Sequence, residues 1–113
     1  MMSVFGEKRS VFKTEGLALG EFDPTVSGFY KNVQIFSFQV KKKKVIRAYV
    51  SSDVPVDVAV SDEKGSTVSY KQAVKEGMIG PIPTESNTEM SIVLGITPGD
   101  KAKVSAEVWM ERL

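Results

Sequence analysis

Apolar and polar positions alternate with period two over much of the chain, and the clearest alternation lies in Val45 to Gly65, VIRAYVSSDVPVDVAVSDEKG. This stretch predicts two short strands, Val45–Ser51 and Val54–Ser61, with a turn cluster after each. In the second, Val54, Val56, Val58 and Val60 share one face, while Asp57, Ala59 and Ser61 point the other way. Four valines at that spacing form an apolar strip that another layer must cover, which commits the chain to packed β structure.

Around this centre the chain predicts further strands. Ser3–Phe5, Ser10–Lys13 and Leu17–Phe22 read as short strands, and Asp23-Pro24 marks a turn, because the residue before proline is pushed out of helical geometry. Val33–Val40 (VQIFSFQV) is a strand with Phe36, Phe38 and Val40 on one face and Val33, Ile35, Ser37 and Gln39 on the other. Apolar groups on both faces predict a central position. Pro55 cannot donate a ladder hydrogen bond, so Val54–Ser61 is expected to start at an edge or a strand end. Asp62–Gly65 has the form of a hairpin turn, with Ser66–Tyr70 returning. Lys71–Glu76 fits one or two helical turns closed by Gly77, and Gly77–Pro83 (GMIGPIP) and Thr84–Asn87 read as loop. Thr88–Ile96 is a strand and Thr97-Pro98-Gly99-Asp100 a type II turn. In the last strand, Lys101–Met110, Ala102, Val104, Ala106, Val108 and Met110 face one way, and Lys103, Ser105, Glu107, Trp109 and Glu111 the other.

Composition narrows the chemistry more than the fold. The 113 residues suit one domain, and 42% hydrophobic with 26% charged residues is ordinary for a globular chain. A net charge of +1 supplies no global field toward nucleic acid. Cysteine is absent, which excludes a disulfide scaffold, a thiolate zinc site and a cysteine nucleophile. Histidine is absent too, which excludes serine–histidine catalysis and imidazole-bound metal. No apolar run is long enough for a membrane-spanning helix. Gly6, Glu7, Lys8 and Arg9 interrupt any apolar leader core, so the expected location is the cytoplasm.

The pattern Phe36-Ser37-Phe38-Gln39-Val40, a basic hairpin, Ile46 to Ser52, then Pro55-Val56-Asp57-Val58-Ala59-Val60 and the Asp62–Gly65 turn resembles one half of small jelly-roll-like modules. Among these are the GOLD domain and the pre-peptidase C-terminal domain. The resemblance implies a β-sandwich that serves as an accessory binding module and performs no chemistry.

Two groups of residues are candidates for recognition. Lys41, Lys42, Lys43 and Lys44, with Arg47 nearby, place five positive charges in seven residues. They read either as an anion-binding hairpin tip for phosphates, nucleic acid or an acidic membrane surface, or as a solvated turn that keeps a sheet end from pairing. The near-neutral total favours the solvated turn and argues against specific nucleic-acid binding. Tyr49 and Trp109 sit on outward faces and, with Phe29 and Tyr30, form a candidate aromatic patch for a protein partner, a sugar or a second copy of the chain. The competing reading is that a neighbouring strand or the N-terminal segment covers them. Asp53, Asp57, Asp62 and Asp100 match no calcium-loop spacing, and Asp62 and Asp100 are explained as turn residues. No nucleotide-binding loop, nucleophile elbow or paired catalytic carboxylates are recognisable.

The expected architecture is therefore a single all-β domain, an antiparallel sandwich of jelly-roll character with roughly seven or eight short strands. The expected role is non-catalytic binding or assembly without cofactor or metal, through a protein partner or self-association. The alternative is an anion- or membrane-surface binder acting through Lys41–Lys44.

Overall fold

The computed structural model describes residues 8–23, 29–30 and 32–112; the side chains of residues 22, 23, 29 and 30 lie outside the description. The expected strand Ser3–Phe5 and the turn at Pro24 also fall outside it. All regular structure among the described residues is strand: β1 (Lys8–Leu19), β2 (Phe22–Asp23), β3 (Phe29–Tyr30), β4 (Val33–Val40), β5 (Lys44–Ser61), β6 (Thr67–Pro83), β7 (Thr88–Gly95) and β8 (Ala102–Arg112). Six of them form one antiparallel sheet in the order β1-β8-β5-β7-β4, with β6 paired to β5, while β2 and β3 make a two-stranded ribbon. The main sheet thus holds fewer and longer strands than the pattern predicted.

The organising stretch is one strand, not two. β5 runs 18 residues, and its even-numbered side chains from Ile46 to Val60 face inward, with Ile46, Ala48, Val50, Ser52, Val56, Val58 and Val60 buried and Val54 partly buried against the core. One edge of β5 is taken by β6. The other is divided: β8 pairs Lys44–Ser52 and β7 pairs Asp57–Ser61. Pro55 sits at the changeover, where the β5–β6 register also slips between Ser51 and Val56. A residue without an N–H is tolerated there because no ladder bond is required of it. Two aspartates satisfy the backbone at the changeover. The Asp53 carboxylate accepts from Lys103 N–H at 2.8 Å, and the Asp57 carboxylate accepts from Ala73 N–H at 3.1 Å.

β6 replaces the expected helical turns over Lys71–Glu76 and the expected loop over Gly77–Pro83. Helix propensity in KQAVKE is a weak preference, and pairing with β5 overrides it. The strand follows the bend of β5 through irregular points, with Ala73 at φ 55° and Gly80 at φ 108°. Gly80 is required there, since a Cβ would lie 2.6 Å from the Ile46 carbonyl oxygen. β4, expected to be central, stands at the end of the sheet path and pairs only β7 among the described residues. Its inward Phe38 and Val40 are buried, whereas Val33 and Ile35 remain exposed. Apolar residues on both faces therefore marked an open outer face, not a covered one.

β7, β8 and the two turns agree with the alternation. Ala102, Val104, Ala106, Val108 and Met110 are all buried, Asp62 Oδ1 accepts from Lys64 and Ser66 N–H at 2.9 Å each, and Asp100 N–H donates to Thr97 O at 3.0 Å. One connected core joins the inward residues of every long strand, including Leu19 of β1 and Val74 and Ile79 of β6. Each fully buried aliphatic side chain contributes about 1.5–3 kcal/mol. β1 and β4, at opposite ends of the path, meet where Phe12 stacks on Phe36 with ring centroids 4.9 Å apart.

Candidate binding surfaces

The lysine run forms the β4–β5 turn, and a neighbouring loop pins its backbone. Thr84, a buried polar residue at 6% exposure, accepts Lys43 N–H on its carbonyl at 3.0 Å and Lys44 N–H on its hydroxyl oxygen at 2.9 Å. Its own N–H donates to Lys44 O at 2.9 Å and its hydroxyl donates to Lys41 O. Lys42 N–H donates to Asn87 Oδ1 at 3.0 Å. These bonds hold Lys43 in the left-handed region, φ 59°, without a glycine. Lys41, Lys42 and Lys43 stay exposed.

Two cations that the sequence reading did not include join the run. β1 begins beside the turn, so Lys8 and Arg9 line a hollow of about 400 Å³ together with Lys41, Lys44, Met110 and Glu111. Arg47 does not add a free charge, because its Nε donates to Glu111 Oε2 at 2.9 Å. A clue existed in the chain: Lys8-Arg9 is a second basic pair, but only the pairing of Lys8 with Glu111 brings it to this end.

Of the four aromatic candidates, the structure brings Tyr49 and Trp109 together. Trp109 pairs with Arg47, and Tyr49 pairs with Glu107, so the two rings lie on the outward face of adjacent strands as diagonal neighbours. Both are half-buried. The Lys8 ammonium stands 4.2 Å from the Trp109 ring centroid, a cation–π contact that covers one face of the indole. The Tyr49 hydroxyl donates to the Glu76 carboxylate on β6. That hydrogen bond, with burial and the carboxylate charge acting in the same direction, raises the Tyr49 pKa above its ordinary value. The side chains of Phe29 and Tyr30 lie outside the described part.

A third surface was missed. Cross-strand register places Ile35, Val93, Ala59 and Tyr70 in one row across β4, β7, β5 and β6. Ile35 is 63% exposed and Tyr70 54%, and Val33, at 55%, extends the row beside Gly95. The neighbouring rows are polar, with Ser37 and Ser91 hydroxyls 3.2 Å apart and Gln39 donating to Glu89 at 3.3 Å. Alternation shows which face a residue takes, but not which residues of other strands share its row.

No three of Asp, Glu, His or Cys gather in a way that could hold a metal among the described residues. The arrangement offers cations, an apolar row and strand edges, which are means of holding a partner.

No protein-family model matches the chain, and no curated protein matches it. Solved structures do. The chain is similar to PliG of Aeromonas hydrophila, a periplasmic inhibitor of g-type lysozyme, with TM-score 0.60 and 8% identity over 97% of this chain and 91% of that one. It is similar to the pre-peptidase C-terminal domain of a Bacillus anthracis collagenase, with TM-score 0.56 and 12% identity over 92% and 89%. It is also similar to a chain of the cyanophage Pam1 capsid asymmetric unit, with TM-score 0.55 and 12% identity over 100% and 90%. At these identities the likeness is one of fold, and it bears out the resemblance to pre-peptidase C-terminal domains read from the Phe36–Gly65 pattern.

Proposed function

We propose that this chain is a non-catalytic binding and assembly module, built as an antiparallel β-sandwich of jelly-roll character, whose partner is a protein, including a second copy of itself. The sandwich reading is supported by the divided edge of β5 and by the meeting of β1 with β4, which close the two groups of strands over one core. The observation that carries the functional reading is the outward row Ile35–Val93–Ala59–Tyr70, exposed at Ile35 and Tyr70 and half-buried at Val93 and Ala59, which ends on β4, paired on one side only among the described residues. Exposed contiguous apolar surface on a sheet marks an interaction site more often than a scattered single residue does. The fold-level neighbours add support, since one is an inhibitor of another protein and another belongs to a capsid.

Light scattering across a concentration series tests this reading. The native chain is expected to self-associate as concentration rises, and Ile35→Lys, which puts a charge in the row and on the edge strand, is expected to give a monomer with unchanged folding. A native chain that stays monomeric throughout removes self-assembly from the proposal. The alternative expectation, anion or membrane-surface binding through Lys41–Lys44, gains from the arrival of Lys8 and Arg9 at the same end.

A further inference from the structure

The two terminal strands of the sheet path run beside one another without a ladder between them. At one point they touch, through Phe12 and Phe36. Toward the lysine turn they frame a groove of about 590 Å³, with Arg9–Val11 on one wall, Ser37–Lys41 on the other and Met110 on the floor. The groove and the basic hollow share Arg9, Lys41 and Met110, so the two are continuous.

We infer that this groove binds an extended acidic segment of a partner protein, which adds as a strand to the edge of β4 that no described strand pairs. The inference rests on the protein-binding reading above and names the partner's chemistry. Three observations carry it. β4 pairs β7 along its whole length without a register shift, and VQIFSFQV contains no charge, glycine or proline. Such an edge presents unpaired N–H and C=O groups to any chain that can lie along it. Arg9, Lys41 and Lys44 hold no ion pair among the described residues, and the one carboxylate of the hollow, Glu111, is engaged by Arg47. Carboxylates on an incoming strand would meet uncompensated cations on one side, and alternate apolar residues would face Phe38, Val40 and Met110 on the other. A nucleic acid could use the cations but has no peptide groups for the β4 edge. A membrane surface is too broad to enter the groove.

The test uses the full chain and a fluorescein-labelled peptide of alternating glutamate and valine. Saturable binding at concentrations below about 200 µM is expected, weakened about tenfold by combining Arg9→Glu with Lys41→Glu and weakened further by added salt. The same peptide N-methylated at every second residue, which keeps its charge but cannot complete a ladder, is expected to bind far more weakly. Amide hydrogen exchange is expected to slow within Ser37–Lys41, the part of the chain that walls the groove, when the unmodified peptide is added. Equal binding of the methylated peptide overturns strand addition. So does tighter binding of single-stranded oligothymidylate, or of phosphatidylcholine vesicles with about 30% phosphatidylserine, and absence of peptide binding overturns the proposal outright. If the peptide fails while Ile35→Lys still separates an oligomer, only the acidic-strand inference falls; if neither effect is seen, the protein-binding reading falls with it.

Discussion

β1 and β4 hold equivalent places at the two ends of one hydrogen-bonded path, yet they are built differently. β1 carries Lys8, Arg9, Lys13 and Glu15, and its register against β8 slips twice, between Ser10 and Phe12 and between Thr14 and Leu17. Charges and bulges are the devices by which sheet edges avoid unwanted pairing. β4 has neither. Its eight residues stay in register with β7, and the charges begin only where the strand ends, at Lys41. The fold thus guards one end of the path and leaves the other regular and uncharged, the contrast on which the proposed strand addition rests.

The largest expected effect separates the inward faces of the two strands. Phe38 of β4 is almost fully buried and belongs to the core, whereas Phe12 of β1 is half-buried against it. Phe38→Ala is expected to lower the unfolding free energy by about 3–5 kcal/mol in urea titrations, and Phe12→Ala by distinctly less. Equal losses would mean that β1 is as deeply anchored as β4, and the contrast would collapse to their outer edges.

A smaller effect concerns how β1 ends. Gly20 follows Leu19 at φ 82°, and a Cβ there would stand 2.0 Å from the Asp100 carbonyl oxygen. Gly20→Ala is expected to cost about 1–3 kcal/mol, with faster hydrogen exchange at Leu17–Leu19 and little change in β4. A change that spreads evenly across both strands would show that the β1 end and the Thr97–Asp100 turn do not act as a local unit.

The smallest effect lies on the outer face beside β1, where polar groups close over the aromatics. Folding raises the Tyr49 pKa, first through the Glu76 hydrogen bond, so the contribution of this phenol is in place just below its ordinary value of 10.0 and is lost as pH rises through the higher folded value. Phenolate absorbance, with Tyr49→Phe as the reference, is expected to show Tyr49 ionising late and Glu76→Gln moving it back toward its ordinary titration. An unchanged curve in Glu76→Gln would leave the outer aromatic face as open as the row on β4.

Much of this architecture was legible because burial imposes alternation. β7, β8 and the valine strip face the core on every second residue, and Asp62 and Asp100 stand where turn chemistry needs them. Pro55 hid the continuity of β5, although Ile46, Ala48 and Val50 are in phase with Val54, Val56, Val58 and Val60 across it. That phase match was the available signal. β6 left no such signal: only Val74 and Ile79 are buried within it, so an edge strand with irregular register shows no period-two pattern. The aspartates at 53 and 57 likewise make sense only once β5 is known to exchange one neighbour for another. The candidate surfaces were half visible. The lysine run and the two outward rings could be read from the chain, but Lys8 and Arg9 arrive through strand pairing, and Tyr70 meets Ile35 only by way of Val93 and Ala59.

The length of β5 has a consequence for how the molecule can be taken apart. The Lys44–Ser52 portion and the Asp57–Ser61 portion belong to different neighbourhoods, yet no linker separates them. A cleavage at Pro55 would leave each fragment with a truncated ladder and half of a shared interior, and is expected to abolish the cooperative unfolding of both portions together.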